Sequence, residues 1–118
     1  MPEIKPPNFE EMYKLIEVIQ TLNKEIQALK VEIEVTEADT VRKATADKSL
    51  SPDGKYLSVT YVKETYKITG INNELTPKRK EMANKVADLD KAKMVFEVMK
   101  MQFEAWRTDQ SNKRSGLV

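Results

Sequence analysis

The chain contains no cysteine and no histidine. The first absence removes disulfides and thiol nucleophiles, the second removes imidazole bases, and together they remove the usual ligands of a zinc centre. With no disulfide framework pointing to secretion, a cytoplasmic location is the default expectation. Glycine is scarce as well, three in 118 residues, and none falls at a phosphate-loop spacing. A nucleotide-hydrolysing enzyme is therefore not expected. Long apolar runs are missing too: nowhere do about 18 apolar residues follow one another, so no membrane span is expected. Met1–Pro7 has no apolar core after its charges and does not read as a signal peptide. Carboxylates are plentiful, but none sits in an apolar setting that would split a pair into acid and base. No catalytic residue, cofactor or metal is expected.

What the chain does have is charge and period. Charged residues make up 33% of it, which suits long solvated helices. From Met12 to Ile33 the apolar residues are Met12, Leu15, Ile19, Leu22, Ile26, Leu29 and Ile33, spaced alternately three and four apart. That is a heptad seam, with Ile at a from residue 19 onward and Leu at every d. A second ladder runs Met82, Leu89, Ala92, Phe96, Met99, Phe103 and Trp106, with Lys85 in the one polar slot. Val86, Val95 and Val98 widen it, which calls for more than one packing neighbour. Ile19, Leu22, Ile26, Leu29 and Ile33, with Phe96, Met99, Phe103 and Trp106, are the candidate interface residues of a homo-oligomer.

The expected fold is an all-α, single-domain helical hairpin of coiled-coil-like helices with a short ambiguous middle. Residues 1–7, rich in proline, form an extended arm. Asn8 caps the first long helix over 8–36, with Glu11 placed for a capping-box pair. The seam fails after Ile33, where Thr36, Thr40 and Lys43 take the next core slots, so a change of face or a short interruption is expected near Thr36–Thr40. A basic middle spans 37–75. It contains a turn at Ser51-Pro52-Asp53-Gly54, whose residue order suits type I. Tyr56–Val62 reads two ways, as a β-rich strand or as a short helix capped by Ser58 with Val59, Val62 and Tyr66 on one side; the helix is favoured. Thr76-Pro77 restarts helix over 76–112, and 113–118 is a tail.

Net charge is +1 but unevenly placed. Residues 1–39 carry four basic and nine acidic side chains, a local −5, and residues 40–85 carry ten and five, or +5. Arg42, Lys43 and Lys48 precede the turn, with Lys55, Lys63 and Lys67 after it and Tyr56, Tyr61 and Tyr66 interleaved. Cations along a backbone with rings for stacking are the pattern of single-strand binding; rings packed on the helices are the plainer alternative. Lys78, Arg79 and Lys80 lie in the first turn of the last helix, where cations and free amides could seat a phosphate or simply face water. Arg107, Lys113 and Arg114 close the chain, either as a second contact or as a solvated helix end.

In this order of parts the chain resembles the UvsY-type phage recombination mediators over residues 40–114. A long helix leads to Arg42-Lys43-Ala44, a glycine turn at Ser51–Gly54, a Tyr- and Lys-bearing segment from Tyr61 to Tyr66, and a last helix ending in Trp106-Arg107 and Gln110–Arg114. Thr45 stands where a second basic residue would strengthen the Lys-Ala motif. The resemblance implies a non-enzymatic oligomer in the bacterial host cytoplasm that binds single-stranded DNA. Its partners would be a RecA-like recombinase, which it helps to load, and a single-strand-binding protein. Arg42 and Lys43 would then touch phosphates and the last helix would build the oligomer. The rival expectation is a protein-only module: a coiled-coil scaffold, an assembly chaperone, or an inhibitor of a host nuclease or defence protein. Glu32, Glu34 and Glu37 would be its contact surface.

Overall fold

A computed structural model describes residues 4–116. Among these residues the chain is all helical: α1 (Phe9–Ala46), a 3₁₀ turn at Lys48–Leu50, α2 (Val59–Thr65) and α3 (Leu75–Arg114). No strand occurs among the described residues, and α1 and α3 form the expected helical hairpin. The chain divides into two units, residues 1–23 with 87–118 and residues 24–86. Both long helices contribute to each.

In the first unit, residues 4–8 form the irregular lead-in expected of the proline-rich arm; the rest of that arm, residues 1–3, lies outside the described residues. Asn8 starts α1 as expected, its side-chain oxygen accepting from the Glu11 amide at 3.1 Å. Glu10 and Glu11 in the first turn complement the helix dipole. Leu89 and Ala92 are buried, and Met12, Leu15, Ile19, Leu22, Phe96 and Met99 are half-buried. Phe9 meets Phe103 and Trp106 edge-on, with ring centroids 5.8 and 6.5 Å apart. Each such pair contributes about 0.5–1.5 kcal/mol beyond its burial. α3 keeps helical geometry to Arg114, through the expected end near Gln110–Asn112. Of the expected tail, residues 117–118 lie outside the described residues.

In the second unit, α1 continues unbroken through Thr36 and Thr40 to Ala46. The expected interruption, and with it the boundary at residue 36, is corrected. Each threonine hydroxyl donates to the carbonyl four residues back, Thr36 to Glu32 and Thr40 to Thr36, both at 2.8 Å. Thr40 is thereby almost fully buried with its polar atom satisfied. Past Thr40 the buried slot moves from Lys43, which is exposed, to Ala44, so the covered face turns by one residue while the helix runs on. Leu29, Ile33, Ala44, Val62 and Leu75 form the core.

The chain between the long helices is built from local caps. Asp47 accepts from the Ser49 amide and hydroxyl. Gly54 donates to the Ser51 carbonyl at 3.2 Å, closing the expected turn at a φ of +72°. Ser58 accepts from the Tyr61 amide at 3.1 Å, so the segment is the helix α2 and not a strand, pinned by the fully buried Val62. α3 begins at Leu75, ahead of the expected Thr76-Pro77 start. Pro77 still costs nothing there, because the first four helical amides have no intrahelical acceptor.

The residues assigned to an interface between copies are covered within the chain. Leu29 and Ile33 are buried, Ile19, Leu22, Ile26, Phe96 and Met99 are half-buried, and Phe103 and Trp106 pack with Phe9. These contacts are packing inside the hairpin.

Candidate nucleic-acid interface

The candidate interface lies in the second unit, on the segment joining the two long helices. Arg42 and Lys43 stand on the last turns of α1, Lys48 on the 3₁₀ turn, and Lys55 and Tyr56 just past Gly54. Tyr61 and Lys63 are on α2, and Lys67 follows it. All eight are exposed, with Tyr56 at 62% and Tyr61 at 48%. Those two rings are therefore not packed on the helices; Tyr66 alone is half-buried. The Lys48 ammonium sits 4.7 Å from the centre of the Tyr56 ring, a cation–π contact. Arg42 and Lys43 share the Asp39 carboxylate, at 2.7 and 3.9 Å. Exposed pairs of this kind are worth about 0–1 kcal/mol, so both cations can exchange Asp39 for another anion at small cost.

The cations at the start of α3 behave differently. Lys78 binds the Glu32 carboxylate. Arg79 donates to Glu37 at 2.5 Å and also to the carbonyls of Ile68 and Lys67 at 2.6 and 3.3 Å. Lys85 reaches Glu25 at 2.6 Å. Glu25 and Glu32 are one heptad apart, and so are Lys78 and Lys85, as flanking charges of an antiparallel pair of helices should be. The expected phosphate seat at Lys78-Arg79-Lys80 is thus corrected: two of its three cations hold α3 to α1. Lys80 is exposed and makes no ion pair among the described residues. Equal seven-residue spacing of acids on one helix and bases on the other was the signal in the sequence, visible only once the register is known.

Three carboxylates hold backbone turns and titrate low. The Ser49 hydroxyl and amide hold Asp47 below the usual carboxylate range. The Ser51 hydroxyl and the Lys55 amide do the same for Asp53. Glu74 is lowered chiefly by its own amide, then by those of Asn72 and Ile71 and the charge of Lys43. Its carboxylate accepts from Ile71 and Asn72 at 3.3 and 2.7 Å, folded over Gly70, whose φ is +86°.

In the first unit, Arg107 pairs with Glu104 at 3.4 Å and Lys113 lies 3.2 Å from Asp109. Arg107 and Arg114 line one shallow polar depression with Thr108, Ser111 and Asn112. No cluster of three or more metal-ligating side chains occurs among the described residues, and no helix there is long and apolar enough to cross a membrane.

No known family, curated protein or solved structure matches the chain.

Proposed function

We propose that this is a non-enzymatic binding protein whose segment between α1 and α3 contacts single-stranded nucleic acid. The observation that carries the proposal is the exposure of Tyr56 and Tyr61 among Lys48, Lys55, Lys63 and Lys67. Two rings open to water beside four cations supply stacking faces and phosphate contacts without sequence readout. Arg42 and Lys43 extend the basic surface, whereas Lys78 and Arg79 act as structural braces. Arg107, Lys113 and Arg114 are secondary contacts under this proposal. The finer role, loading a RecA-like recombinase onto DNA coated by a single-strand-binding protein, rests on the resemblance to UvsY-type mediators.

The test is fluorescence anisotropy with a labelled single-stranded oligonucleotide across a salt series. Affinity is expected to fall steeply with salt, and Arg42→Ala with Lys43→Ala to lower both affinity and salt slope. Tyr56→Ala with Tyr61→Ala is expected to weaken binding roughly tenfold or more, at about 1–3 kcal/mol per stacked base. Undetectable binding at low salt defeats the proposal.

A protein-only interaction module is the second reading, supported by an exposed apolar stripe on α3. Its acidic variant, with Glu32, Glu34 and Glu37 as contact surface, loses support because Glu32 and Glu37 are bridged to Lys78 and Arg79.

A further inference from the structure

The two exposed rings of the candidate interface are not alike. Lys48 opens the 3₁₀ turn, where the Ser51 amide donates to its carbonyl at 3.2 Å and Asp47 accepts from the Ser49 amide at 2.9 Å. Further on, Asp53 accepts from the Lys55 amide at 3.0 Å and from the Ser51 hydroxyl. These local bonds hold the backbone just after Lys48 and just before Tyr56, and the turn at Ser51–Gly54 folds the two residues together. The Lys48 ammonium therefore stands over the Tyr56 ring, 4.7 Å from its centre. Tyr56 nevertheless stays 62% exposed, so the lysine covers one face of the ring and leaves the other to water. Tyr61, on α2, carries no such cation among the described residues.

We propose that this pairing makes the site prefer purine-bearing strands, guanine above all, with Lys48 setting the preference and Tyr56 expressing it. The inference rests on the single-strand reading above and names the bases that reading favours. A cation over an aromatic ring draws the π density toward its own face, which leaves the opposite face poorer in electrons. Stacking follows the charge distribution of the two rings as well as their overlap. An electron-poor face thus stacks best on the most electron-rich base. Guanine is the richest of the four and adenine follows, while the pyrimidines are poorer and offer one ring instead of two. The preference comes from stacking strength and needs no hydrogen bond to a base edge. Phosphate contacts from the neighbouring cations add affinity without distinguishing bases. Tyr56 reads a single base in this way, because its second face is taken. Tyr61, with no cation on it, stacks on any base.

The test uses three single strands of equal length and charge, about twelve nucleotides long, within the range of single-strand site sizes. One is thymine throughout; the others carry adenine or guanine at every third position. By fluorescence anisotropy at one low salt concentration, the full-length chain is expected to bind the guanine strand tightest and the thymine strand weakest. Lys48→Met keeps the stem and loses the charge. It is expected to weaken all three complexes and to shrink the guanine-to-thymine ratio by roughly twofold or more, the lower end of what an exposed cation–π contact supplies. The lost attraction for phosphate is common to the three strands and cancels in that ratio. Lys48→Arg and Tyr56→Phe are expected to keep the ratio, and Tyr56→Leu to shrink it as Lys48→Met does. Tyr61→Leu is expected to weaken binding with the ratio intact. All three positions are exposed, so helicity by circular dichroism should not change. A ratio that survives Lys48→Met, or that falls as far with Tyr61→Leu, overturns this inference while oligonucleotide binding itself stands. A chain that binds none of the strands overturns both readings.

Discussion

Arg79 donates to one carboxylate on α1 and two carbonyls after α2. A lysine at that position has the charge but not the planar fork, and cannot reach all three acceptors at once. Arg79→Ala is expected to cost about 1–3 kcal/mol in urea unfolding, the range for hydrogen bonds to charged groups, with Arg79→Lys recovering only part of it. Neither should change the salt slope of oligonucleotide binding; a lower slope would return Arg79 to the phosphate-contact group. Gly70 is the other exacting position. Its positive φ opposes a side chain, and a Cβ there would push the Glu74 carboxylate off the Ile71 and Asn72 amides that it caps. Gly70→Ala is expected to lose about 1–3 kcal/mol, read as a lower midpoint in the same experiment.

Acid sensitivity also belongs to individual groups. Asp47, Asp53 and Glu74 all titrate lower in the fold than in an open chain. Their contribution is therefore complete above the ordinary carboxylate range and is lost as pH falls through their folded values. The segment joining α1 to α3 is expected to loosen on acidification below about pH 4. Amide exchange should show this as earlier loss of protection at Ser49, Lys55 and Asn72 than along α1.

Among the elements, α1 is defined by what its threonines do. Because Thr36 and Thr40 bond back to their own helix, α1 runs straight through positions where the apolar seam stops. Thr36→Pro is expected to break it there, at a cost of about 3 kcal/mol or more, visible as lost ellipticity and a lower melting temperature. Leu75→Ala, emptying a fully buried site, is expected to cost about 2–5 kcal/mol. The two long helices were legible in the sequence because heptad spacing, the Asn8 cap and the want of glycine or proline all agreed. The Ser51–Gly54 turn and the Ser58 cap were legible for the same local reason. Where the outcome hinged on a partner distant in sequence, it was not. Lys78 and Arg79 read as free cations until Glu32 and Glu37 were placed opposite them.

For the whole molecule, the proposed association with nucleic acid is expected to answer to salt. Oligonucleotide binding releases counterions and weakens as salt rises. Light scattering with and without oligonucleotide across one salt series should show the nucleic-acid complex dissolving as salt rises. A complex whose mass holds at high salt would mean that charge does not drive it.

Trp106 is the only tryptophan in the chain, and it stands in the aromatic cluster with Phe9 and Phe103. Its emission is therefore a native optical gauge of how firmly Phe9 stays seated on α3. A red shift that precedes the fall in ellipticity would record the beginning of α1 peeling away while most of the helix is still wound, with no dye or label attached.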